Sequence, residues 1–76
     1  MKDKVIDILK SIRSDVDYQN CQSIIDDGYL SSLDFLQVIT KIEEVFSLSI
    51  PVDEIDPSNF NSVDAIADLI TRLKQS

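Results

Sequence analysis

Ser31-Ser32-Leu33-Asp34, running on into Phe35-Leu36-Gln37-Val38-Ile39-Thr40-Lys41-Ile42-Glu43-Glu44-Val45-Phe46, is the stretch whose reading decides the fold. Phe35, Ile39, Ile42 and Phe46 recur at helical spacing, widened by Leu36 on one side and by Val38 and Val45 on the other. The run therefore predicts an amphipathic helix from Ser32 to about Phe46. Ser31 with Asp34 three residues later approximates a capping box, with Asp in the position usual for Glu. The turn-like Asp26-Asp27-Gly28-Tyr29 lies immediately upstream. The Ser32 hydroxyl thereby falls in the first helical turn, where unpaired N–H groups and positive partial charge suit a covalently attached phosphate. At about 100° per residue, Leu33 falls off the apolar stripe and lines up with Gln37, Thr40 and Glu44, which defines an outward face.

Two further helices are legible on either side. Val5, Ile8, Leu9, Ile12 and Val16 keep helical spacing, with Asp3 in the first turn and Arg13 near the end, as the helix dipole favours. Ser62 is a plausible N-cap for a last helix carrying Val63, Ile66, Ala67, Ile70 and Leu73. Residues 17–31 form a long loop, which Ile24, Ile25, Tyr29 and Leu30 are expected to pin onto the bundle. Pro51 stops extension beyond Ile50, and Val52-Asp53-Glu54-Ile55 suits one short helical turn. Asp56-Pro57-Ser58-Asn59 reads as a turn or loop, anchored in the core by Phe60. The fold class expected is all-α, a bundle of three main helices plus one short helix, in a single domain over 1–76.

Composition narrows the function classes. The 76 residues are 43% hydrophobic, enough for a small core but for no second one. Residues 1–25 balance four acids against four bases, whereas residues 26–68 carry ten acids and the single base Lys41. The formal net charge is −7. Such a surface disfavours nucleic acid and anionic membrane and favours basic partner surfaces, although solubility alone also accounts for it. One cysteine, Cys21, permits no internal disulfide, and without a signal peptide or long apolar run the expectation is a cytoplasmic monomer. Histidine is absent, which removes the commonest general base and metal ligand, so neither an enzyme nor a metal site is expected. Asp53, Glu54 and Asp56 lack the glycine and twelve-residue spacing of a calcium loop.

Taken together, these segments resemble the acyl carrier protein family, the phosphopantetheine-attachment domains. Ser32-Leu33 matches the family's Asp-Ser-Leu motif, with Ser31 standing where Asp is usual. Ile42-Glu43-Glu44-Val45-Phe46 is similar to the family's Leu-Glu-Glu-Glu-Phe segment, and Ile50-Pro51 and Ser62-Val63-x-x-Ile66 fall at the expected separations. The resemblance covers nearly the whole chain. It implies an acyl-carrier-like bundle in which a phosphopantetheinyl transferase attaches 4′-phosphopantetheine from coenzyme A to Ser32. It further implies that the thiol of that arm carries acyl or aminoacyl groups as thioesters to partner enzymes, so that the protein itself does no catalysis. Leu33 is the implied partner contact, with Leu36, Gln37, Thr40, Lys41 and Glu44 as further candidates.

The pathways implied are fatty-acid or specialised biosynthesis. Gln37 and Lys41, at positions where fatty-acid carriers tend to be more acidic, lean toward a dedicated pathway. Asp56-Pro57-x-Asn59-Phe60 is similar to stand-alone carriers associated with adenylating enzymes, which keeps a D-alanyl or peptidyl carrier as an alternative. A second class is an unmodified acidic helical adaptor that binds through the outward face of the Ser32–Phe46 helix. A hydrolase with Ser32 as nucleophile finds no His or oriented base to activate it.

Overall fold

The computed structural model describes residues 1–75, and these hold four α-helices and two single 3-10 turns. Helix α1 spans Lys2–Ile12, α2 Ser32–Phe46, α3 Pro57–Phe60 and α4 Val63–Gln75. The 3-10 turns are Tyr18–Asn20 in the first connection and Val52–Glu54 in the second. Helix α1 packs against both α2 and α4, and α3 packs against α4. The all-α fold with three main helices is the one expected, but the short turn expected at Val52–Ile55 is 3-10 and the short α-helix is Pro57–Phe60.

Helices α2 and α4 begin as their sequences predict. Helix α2 opens on a complete capping box: Ser31 Oγ accepts from the Asp34 N–H at 3.1 Å, and Asp34 Oδ2 accepts from the Ser31 N–H at 3.2 Å. Ser62 Oγ accepts from the Ala65 N–H at 3.0 Å at the head of α4. Helix α2 ends on Ser47 in the left-handed conformation, φ 53°, a place where glycine is the easier residue. The Glu43 carboxylate then accepts from the Ile50 N–H at 2.9 Å and fixes the chain as it leaves the helix.

Several expectations are corrected. Helix α1 stops at Ile12, because Arg13 turns extended (φ −145°, ψ 110°), so Val16 reaches the core from the loop and not from the helix. Leu36 and Val45 do not widen the buried stripe of α2; they are 59% and 49% exposed, because α1 covers a narrower face than the periodicity offers. Asp56-Pro57-Ser58-Asn59 is not a plain turn: Asp56 Oδ1 accepts from the Ser58 N–H at 2.9 Å and caps α3, with Pro57 in its first turn. Helix α4 buries Leu69 completely in addition to the expected Val63, Ile66, Ala67 and Ile70, since α1 and α3 lie against it together, whereas Leu73 near its end is half-buried.

The first connection is held differently from the apolar pinning expected. Ile24 and Leu30 are buried as predicted and Ile25 is half-buried, but Tyr29 is exposed. Two polar devices complete the attachment. Tyr18 is buried and its hydroxyl donates to the Arg13 carbonyl at 2.6 Å. Asn61, between α3 and α4, clamps the loop from the other side. Its carbonyl accepts from the Ile24 N–H at 2.8 Å, and its Oδ1 accepts from the N–H groups of Ile25 and Asp26 at 2.9 and 3.0 Å. Its Nδ2 donates to Asp26 at 3.1 Å. Gly28, at φ +77°, then reverses the chain toward α2. Asn61→Ala strands two loop N–H groups and is expected to cost about 1–3 kcal/mol in urea unfolding, with amide exchange at Ile25 and Asp26 rising first.

Candidate functional site

Ser32 is the first residue of α2 and is exposed. The capping box distinguishes it from its neighbour. The Ser31 hydroxyl is spent on the Asp34 N–H, whereas no hydrogen bond engages the Ser32 hydroxyl among the described residues. The first N–H groups of an α-helix have no partner within it, so the helix start that presents this hydroxyl is also polarised toward an anion. The nearest carboxylate in sequence, Asp34, is turned back onto the Ser31 N–H.

Leu33 is 65% exposed beside the serine. The structure brings the other five predicted contact residues together. Leu36, Gln37, Thr40, Lys41 and Glu44 line one open groove of about 300 Å³ on the outward face of α2. The Thr40 hydroxyl donates to the Leu36 carbonyl at 3.1 Å. Lys41 enters no ion pair among the described residues, while Lys2, Arg13 and Arg72 pair with Asp64, Asp15 and Glu54.

A second groove, of about 380 Å³, lies on the loop side and is lined by Asp15, Asp17, Asp27, Cys21 and Tyr29 among others. Beside it stands a residue to which the sequence reading gave only a helix-dipole role. Arg13 Nε donates to Asp15 Oδ1 at 2.9 Å, and its Nη1 donates to the Tyr29 carbonyl at 2.7 Å. Its one sequence signal is isolation, for it is the only base between Lys10 and Lys41. The hydrogen bond and charge of Asp15 raise its proton affinity, with smaller contributions from Tyr18 and Asp34.

The same hydrogen bond from Arg13 holds the Asp15 carboxyl below the usual range, and the Ser58 N–H and hydroxyl hold Asp56 below it. A carboxyl depressed on folding adds stability that is complete above its unfolded value, about 3.9, and is lost as pH falls through the folded value. Thermal melts are therefore expected to show Tm falling as pH drops below about 4, and the fall should be shallower in Asp15→Asn/Asp56→Asn.

A small all-helical bundle of this size is consistent with stand-alone carriers of the acyl-carrier type, and the chain is similar to such carriers over most of its length. No family model matches the chain. Among curated proteins it is similar to the D-alanyl carrier protein of Lactococcus lactis subsp. cremoris (strain MG1363), 29% identical over 73 residues that cover 88% of this chain and 87% of that protein. It is likewise similar to the D-alanyl carrier proteins of Streptococcus equi subsp. zooepidemicus (strain MGCS10565) and Streptococcus sanguinis (strain SK36). The first is 28% identical over 99% of this chain and 96% of the relative. The second is 26% identical over 100% and 98%. These relatives fit a carrier of aminoacyl groups and lend no support to a fatty-acid pathway. Among the described residues no helix is long and apolar enough to cross a membrane, and no cluster of three His, Cys, Asp or Glu is placed to hold a metal ion.

Proposed function

We propose that the chain is a stand-alone aminoacyl carrier, holding its cargo as a thioester on a 4′-phosphopantetheine arm joined to Ser32. The observation that carries this reading is the division of labour between adjacent serines: Ser31 caps α2, while the hydroxyl of exposed Ser32 at the same helix start makes no hydrogen bond among the described residues. That position fits a phosphodiester, because the unpaired N–H groups of the first turn face the anion and the side chain is clear of the core. When bound, the arm supplies the thiol that forms the thioester. The residues of this chain present the hydroxyl, offer the positive end of the helix dipole, and display Leu33 with the Leu36–Glu44 groove to partners. Those partners are a phosphopantetheinyl transferase, an adenylating enzyme that loads the thiol, and an acceptor enzyme that unloads it. The excess of acid over residues 26–68 favours basic docking surfaces on them. The names of the relatives make D-alanine the first cargo to try.

Intact and fragment mass spectra after incubation with coenzyme A and a broad-specificity phosphopantetheinyl transferase test the reading. The expected result is one phosphopantetheine on the peptide containing Ser32. Subsequent incubation with ATP, D-alanine and a D-alanine-activating ligase is expected to add an alanyl group that neutral hydroxylamine releases. Failure of several transferases to modify the chain would leave an unmodified helical adaptor, binding through the outward face of α2, as the better account.

A further inference from the structure

We propose that Arg13 is a positioning residue for Ser32, a strap from the end of α1 that holds the segment entering α2 in the geometry a modifying transferase needs. This rests on Ser32 as the modified residue. The backbone of Arg13 is fixed at both of its polar groups: its N–H donates to the Leu9 carbonyl at 2.9 Å, and its carbonyl accepts from the buried Tyr18 hydroxyl at 2.6 Å. The guanidinium then forks outward. One arm is steadied by Asp15 at 2.9 Å, and the other grips the Tyr29 carbonyl at 2.7 Å. That carbonyl lies two residues before the Ser31 cap and three before Ser32.

The placement matters because the other anchor on this loop stops short. Asn61 holds Ile24, Ile25 and Asp26, and the chain then reverses at Gly28. From there to the capping box, the Tyr29 N–H donates to the Ile24 carbonyl at 3.2 Å and the Leu30 side chain is buried, while the Tyr29 carbonyl, on the next peptide plane, is held by Arg13. Leu30 anchors the segment by non-directional contact, which leaves the peptide plane free to rock; a hydrogen bond to the carbonyl removes that freedom. The planar guanidinium suits the task, since it makes both bonds at once from a fixed fork, which a lysine ammonium on a flexible stem does not reproduce. The Arg13–Asp15 pair is exposed, so it is worth little to global stability and its effect is local.

Arg13→Gln and Arg13→Lys in the full chain test the proposal through three readouts: transferase kcat/KM, global Tm, and hydrogen exchange at the Asp34 amide, which donates to Ser31 Oγ. In Arg13→Gln, transfer to Ser32 is expected to fall on the order of tenfold, as small misplacements of a reacting group do. Exchange at Asp34 should quicken while Tm stays within about 4 °C of the parent. Arg13→Lys keeps the charge but not the fork and is expected to recover only part of the rate. Parental transfer in Arg13→Gln overturns the proposal, whether or not exchange at Asp34 changes. So does a loss of transfer that merely tracks a large fall in Tm. If the parent itself is modified by no transferase, the reading of Ser32 has failed, and the Asp34 exchange still shows whether Arg13 holds the cap.

Discussion

Ser32→Ala is expected to abolish phosphopantetheine attachment completely while the thermal melt stays close to that of the parent. The two halves of this expectation have separate causes. Attachment requires an oxygen nucleophile at the head of α2, and the neighbouring Ser31 hydroxyl is already engaged by the Asp34 N–H. Stability is spared because Ser32 is exposed, makes no side-chain hydrogen bond among the described residues, and occupies a helical position that alanine favours. The change in unfolding free energy should stay within about 0.5 kcal/mol. Ser31→Ala gives the converse: the cap is lost, at about 0.5–2 kcal/mol, while the attachment oxygen remains. Mass spectrometry and circular-dichroism melts on the two variants separate the roles. Modification of Ser32→Ala would transfer the site to Ser31.

Phe60→Ala is expected to have the largest effect on the fold, about 3–5 kcal/mol by urea unfolding. Phe60 is 1% exposed, and its ring meets that of Phe35 edge-on, with centroids 5.0 Å apart and planes at 73°. Such a pair adds about 0.5–1.5 kcal/mol beyond area burial, and here it joins α3 to the first turns of α2. A domain of this length has a total stability of about 4–11 kcal/mol, so one truncation would remove a large part of it. Val52→Ala is the control: Val52 is 83% exposed, and the change should stay within about 0.5 kcal/mol. Because Phe35 follows Ser32 by one turn, Phe60→Ala should also quicken exchange at the start of α2, linking core packing to the candidate site.

The helices and their starts were legible because they rest on local physics. Ser31 with Asp34, and Ser62 before Val63, place a side-chain oxygen within reach of an N–H three residues on, whatever the rest of the chain does. The periodicity of α2 likewise put Val38, Ile39, Ile42 and Phe46 inside and Leu33 outside. The residues of the candidate site could be named for the same reason, since Ser32, Leu33, Gln37, Thr40, Lys41 and Glu44 all belong to one helix. The misjudged residues depend on neighbours. Leu36 and Val45 are apolar and flank the stripe, yet they are exposed because α1 covers only part of that side. Tyr29 belongs to the apolar set of the loop, yet it faces solvent while its carbonyl is held by Arg13.

By itself, then, the sequence determined the all-α class, the starts of α2 and α4, and the serine at the head of α2. Spacing and caps act over one or two turns and need no partner element. Only the tertiary structure decided which apolar flanks are covered, and how the long first connection is held. The Asn61 clamp spans 35 and 36 residues and the Arg13 strap spans 16. Bonds over such separations form only after the helices have packed, because packing meets the entropy cost of bringing those groups together, and no local pattern encodes that proximity.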